Sequence, residues 1–81
     1  MAYWNVVSAR VLPGYRLGLV FEDGKEGVFD MTPYLGRGMW RAVSNPVSFS
    51  AAHVCDGTVA WSRHVDMAPE VLYDGCEPPT A

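Results

Sequence analysis

The side chains most able to do chemistry in this sequence fall into small groups, and none has the spacing of a catalytic or metal motif. His53, Cys55, His64 and Cys76 are the ligand types zinc prefers. Their spacing is not that of a zinc ribbon or finger, and Cys76 follows the last expected helix. The expected roles are therefore structural: His53 exposed on a strand, Cys55 partly buried, Cys76 a tail thiol. Asp30, Asp66 and Glu70 are the acids expected at fixed positions, and paired carboxylates perform acid–base work when burial separates their pKa values. Each has a sufficient structural task instead. Asp30 closes a strand before a Thr-Pro helix start, Asp66 caps the closing helix, and Glu70 faces the positive end of its dipole. No catalytic, cofactor-binding or metal-binding residue is assigned.

Arg37, Trp40 and Arg41 form the one basic, aromatic cluster. On a short helix they could stack on bases or clamp phosphate. The plainer reading is a solvated turn with Trp40 turned inward; an exposed Trp40 would make the trio a protein-binding hot spot, where Trp and Arg dominate. Tyr3 and Trp4, ahead of the first strand, pose the same question of covering an edge or a partner.

The elements that must position these groups are short. Six prolines and eight glycines punctuate 81 residues, which favours strands and turns over long helices. Residues 5–12 read as a strand, and Pro13-Gly14 as a turn into a second strand, where Tyr15, Leu17, Leu19 and Phe21 alternate with Arg16, Gly18, Val20 and Glu22. A two-residue Asp23-Gly24 loop would set Leu17 opposite Asp30 and Phe21 opposite Glu26, placing acids beside the core face. A three-residue loop with Gly24 left-handed sets Leu17 opposite Phe29 and Gly18 opposite Val28, and is preferred. Thr32 is then a candidate N-cap with Pro33 at the first helical position. Met39 to Val43 can form another helical turn before Ser44-Asn45-Pro46 breaks the chain. The last hairpin turns at Asp56-Gly57, type I′, pairing Val54 with Val59 and Ala52 with Trp61. Val71 and Leu72 of the closing helix should dock on the sheet, with Gly75 as the stop.

The expected fold is α+β: a small antiparallel sheet of about five strands, a three-stranded meander plus a hairpin, with short helices after strand 3 and at the C-terminus. Residues 5–75 make one domain and 76–81 a flexible tail. A formal charge of −3 makes direct nucleic-acid binding unfavourable. The apolar stretches are too short for a membrane span and no signal peptide is visible, so a cytoplasmic chain with no disulfide is expected.

Several residues together resemble the small bacterial domain-of-unknown-function family 2442. They are Leu12-Pro13-Gly14-Tyr15 with Leu17, Leu19 and Phe21, then Asp23-Gly24, Phe29-Asp30-Met31, Pro33 and Leu35. Phe49, Gly57, Trp61 and the closing Asp66-Met67-Ala68-Pro69-Glu70-Val71-Leu72-Tyr73 complete the set. Some members are similar to an α+β domain that precedes a helix-turn-helix; here no such segment follows Tyr73, and direct transcription-factor action is not expected. The resemblance implies no catalytic residues. It implies a noncatalytic protein-interaction module, the antitoxin-like member of a bacterial two-protein pair, with a small toxin-like neighbour as partner. The alternative is a regulatory nucleic-acid-associated domain acting through a dimer or partner. A homodimer through an open strand edge is a further expectation.

Overall fold

Alternation along the second strand organises the first half of the chain. The computed structural model describes residues 5–62 and 65–78. Strands β1 (Val6–Leu12), β2 (Arg16–Phe21) and β3 (Glu26–Asp30) form an antiparallel meander in the order β1-β2-β3. Leu17, Leu19 and Phe21 are buried while Arg16 between the turn and the core stays exposed. Burying each such side chain contributes roughly 1.5–3 kcal/mol, which fixes the face and with it the register. The β2–β3 register is the expected one: Leu17 opposite Phe29, Gly18 opposite Val28, Val20 opposite Glu26. Gly24 takes φ +93° and its N–H donates to the Phe21 carbonyl at 2.9 Å, closing a three-residue loop. Between β1 and β2, Gly14 and Tyr15 both have positive φ, +80° and +60°.

The second sheet holds three strands, β4 (His53–Cys55), β5 (Thr58–Ser62) and β6 (Val65–Met67), in the order β4-β5-β6. Val54 pairs with Val59 across Asp56 and Gly57, whose φ values of +51° and +79° are those of a type I′ turn. The total is six strands in two sheets, where about five were expected. The difference is β6. Asp66 lies on this strand opposite Ala60, exposed, and does not cap a helix. Three residues are too few for a period of two to declare itself, so the segment passes for a helix approach. β5 is central, and Thr58 and Ala60 are buried along with Val59 and Trp61.

Gly57 joins the sheets. Its carbonyl accepts from Val6 N at 2.8 Å, and a Cβ at Gly57 would stand 2.5 Å from Asn5 Oδ1. Between the sheets the chain makes two 3₁₀ turns, Thr32–Tyr34 and Gly38–Val43, then α1 (Pro46–Phe49). Thr32 is not the N-cap of the first turn: Asp30 Oδ1 accepts from Thr32 N at 2.9 Å and from Thr32 Oγ1 at 2.6 Å. The carboxylate two residues back wins because it satisfies both donors. Asn45 caps α1 through Ser48 N at 2.9 Å.

Helix α2 (Pro69–Gly75) starts at Ala68 without a side-chain cap and buries Leu72 in the shared core; Val71, expected to dock beside it, is 40 % exposed. Gly75 ends the helix, and a Cβ there would meet Phe29 Cε1 at 2.7 Å. Glu77, expected in a free tail, bridges the edge of β3: Val28 N donates to its carbonyl at 2.7 Å and its N–H returns to Val28 O at 2.9 Å. Cys76 is carried inward by that bridge, against Gly27. Among the described residues no helix is long and apolar enough to cross a membrane.

Candidate functional site

Trp40 is half-buried against the core, its ring edge-on to Tyr34 with centroids 5.6 Å apart. Arg37 lies 5.6 Å from the Tyr34 centroid, and its guanidinium donates to Pro33 O at 3.3 Å. The fold therefore brings Arg37, Tyr34 and Trp40 together as a packed stack, with Arg41 exposed one residue on. Trp40 Nε1 is buried with no acceptor among the described residues. Trp40 is thus half-buried against Tyr34, and Arg37 and Arg41 are exposed. Tyr3, Trp4 and His64 lie outside the described residues.

Among the described residues the zinc-type side chains do not converge. His53 is exposed with Nδ1 2.9 Å from Ala51 O, Cys55 is exposed and not partly buried, and Cys76 is on the far edge beside β3; both thiols are free. Among the described residues no three His, Cys, Asp or Glu side chains are placed to share a metal ion. The carboxylates are likewise separate. Asp30 is held below the usual carboxylate range by the Thr32 hydroxyl and N–H, and it is exposed, as are Asp66 and Glu70.

The feature with the geometry of a binding site lies on β1. Edge strand β3 is bridged by Glu77, but among the described residues the outer edge of β1 is not bridged beyond Val6. Val28 turns its N–H and C=O outward to Glu77, so Leu17 and Leu19 of β2 bond to β3 while Arg16, Gly18 and Val20 turn toward β1. Ser8, Arg10 and Leu12 then bond inward, and Ala9 and Val11 present their backbone groups outward. Val7 and Val11 are 58 % and 39 % exposed. Beside them is an apolar cleft of about 310 Å³ between Val11, Leu12, Pro13 and Tyr15 on one side and Pro46 and Phe49 on the other. Tyr15 braces it, its ring edge-on to Phe49 at 5.2 Å and its hydroxyl donating to Ser44 O at 3.3 Å. Val47 next to Pro46 is 82 % exposed.

Sequence reasoning anticipated an exposed edge but not which strand carries it. The available signal was Val7-Ser8-Ala9-Arg10-Val11, whose two faces are less sharply divided than those of β2. The cleft needed Pro46 and Phe49 to arrive from 31 or more positions away, and no local pattern announces that.

The model of the family described as "Protein of unknown function (DUF2442)" matches residues 6–78. The chain belongs to the DUF2442 family. The match runs from the first residue of β1 to Pro78, just past Glu77, so the open edge, the cleft and the bridge to Val28 all lie within the DUF2442 domain. No curated protein and no solved structure matched the chain.

Proposed function

We propose that this DUF2442 chain is a noncatalytic protein-interaction module, the antitoxin-like member of a small bacterial two-protein pair. The observation that carries the reading is the outer edge of β1, where Ala9 and Val11 present unpaired backbone groups beside the Val11–Tyr15–Pro46–Phe49 cleft. Unpaired edges favour pairing with another chain, and proteins usually blunt them. Here one edge is closed by Glu77 and the other is left with exposed valines. An added strand would gain backbone hydrogen bonds from the edge and side-chain specificity from the pocket.

The reading is tested by capture from a native extract on the immobilised chain, with a high-salt wash. A single small protein retained in near-stoichiometric amount supports the module; an empty bait removes it.

A further inference from the structure

The two faces of β1 differ in chemistry, and that difference specifies a class of partner. By register Ala9 and Val11 share the face of Leu19 and Leu17, the side on which the cleft opens, whereas Arg10 and Leu12 share the opposite face with Gly18 and Arg16. A strand laid against this edge alternates in the same way. Residues directed to the Val11 side reach the apolar cleft, and those directed to the other side reach Arg10 and Arg16.

Charge is distributed unevenly along the meander. Arg10 precedes Val11 in the chain, and Arg16 follows Tyr15 with its Nε donating to Pro13 O at 2.9 Å. The residues lining the cleft and their immediate sequence neighbours include no acid. Asp30 comes to this end opposite Arg16, with Oδ1 already accepting from Thr32. Glu22 and Asp23 lie at the β2–β3 turn, and Glu26, on the far strand of the meander, lines with Ser8 and Arg10 a groove across the outer face. Arg10 is the one charged residue carried by β1 itself, and at a Debye length of about 8 Å it counts for more than the net −3 in what docks along this edge.

The geometry points to an extended segment of another protein in which apolar and acidic residues alternate, bound as an added strand on β1 with an apolar side chain in the cleft and carboxylates against Arg10 and Arg16. This refines the interaction-module reading and rests on it. A second copy fits less well. Paired two-fold about residue 10, Arg10 would face its own copy, and like charges directly opposite are destabilising. Paired about Ala9, the contact would run through the bulge between Val6 and Ser8, which disrupts the ladder.

The test titrates synthetic octapeptides into the isotope-labelled full chain and follows the backbone amides of Ala9 and Val11. The probes are an alternating Val-Glu peptide, its Val-Lys counterpart, and a Val-Glu peptide N-methylated at every second residue. The Val-Glu peptide should shift and protect both amides saturably. The Val-Lys and N-methylated peptides should bind at least about tenfold more weakly, equivalent to about 1.4 kcal/mol. Val11→Glu, at an exposed position, should remain folded and lose the response. Equal binding of Val-Lys, or of the N-methylated peptide, overturns the proposal. Shifts of Ala9 and Val11 with the chain's own concentration assign the edge to a second copy, and shifts of the arginine-flanked amides with duplex DNA assign the face to nucleic acid; either overturns the acidic segment. Failure here while a native extract still yields a stoichiometric partner removes the peptide class alone; an empty extract removes the module itself.

Discussion

Tyr73 donates a hydrogen bond to Asp23 at 2.5 Å across 50 positions of sequence, and Lys25 locks the contact from the other side. Lys25 Nζ donates to the Tyr73 carbonyl at 2.7 Å and stands 4.0 Å from the Tyr73 ring centroid, while the ring packs edge-on to Phe21 at 4.9 Å. The β2–β3 turn thus grips the last helix. The turn pattern marks Asp23-Gly24 as a loop; it carries no hint that the loop's carboxylate will find a tyrosine fifty positions on.

This clasp has a pH signature. The Tyr73 hydroxyl, followed by the Lys25 N–H, holds Asp23 below the usual carboxylate range, and the same bond to Asp23 pushes Tyr73 above the usual phenol range. A lowered acid stabilises the fold above its unfolded-state pKa and loses that contribution as pH falls through the folded value; a raised phenol contributes below about pH 10 and loses it above. Tyr73→Phe should lower Tm in the neutral range, with the gap to wild type closing below about pH 4 and above about pH 10. Thermal melts of both chains across that range check it, and a constant gap would deny the bond any role.

The close approach of Gly75 to Phe29 gives a second expectation. Alanine is the better helix former by about 1 kcal/mol, but its Cβ would come within 2.7 Å of a ring that is 2 % exposed. Overpacking of this kind costs about 1–3 kcal/mol, so Gly75→Ala should be net destabilising in urea unfolding. A stabilised variant would mean that Phe29 can move freely.

The two described tryptophans should respond differently to the same change. Trp61 Nε1 donates to Phe49 O at 3.1 Å in a buried setting, and removing it costs about 0.5–1.5 kcal/mol for the lost bond, the carbonyl keeping only the Ala52 N–H at 3.2 Å. Trp40 Nε1 has no acceptor among the described residues, so its loss relieves as much as it removes. Trp61→Phe is therefore expected to destabilise more than Trp40→Phe, measured by chemical denaturation of the two variants side by side. Trp40→Ala should act chiefly on stability through its contact with Tyr34.

How far the sequence discloses this molecule depends on whether the information is local. The β2–β3 register was readable because the two-residue alternative sets acids beside the core face, and the Asp56-Gly57 turn because few residues accept positive φ in succession. Strand β6 was not readable: three residues, one of them the charged Asp66, give no period. The capture of Thr32 by Asp30 turned on a side-chain contact two residues apart, and the bridge from Glu77 to Val28 on a contact between distant segments. The same limit applies to the candidate site. Arg37 and Arg41 were visible by type, an inward Trp40 was the plainer reading, and the cleft exists only after Pro46 and Phe49 fold back on Tyr15.

The central claim is that this chain acts by binding another protein through β1. The most direct test immobilises wild-type protein and Val11→Glu in parallel, passes native extract over both, and identifies what survives a high-salt wash by mass spectrometry. The account predicts one small protein, near-stoichiometric on the wild type and lost from Val11→Glu while that variant keeps its fold. Retention of the same protein equally on both, or of none on either, would contradict it.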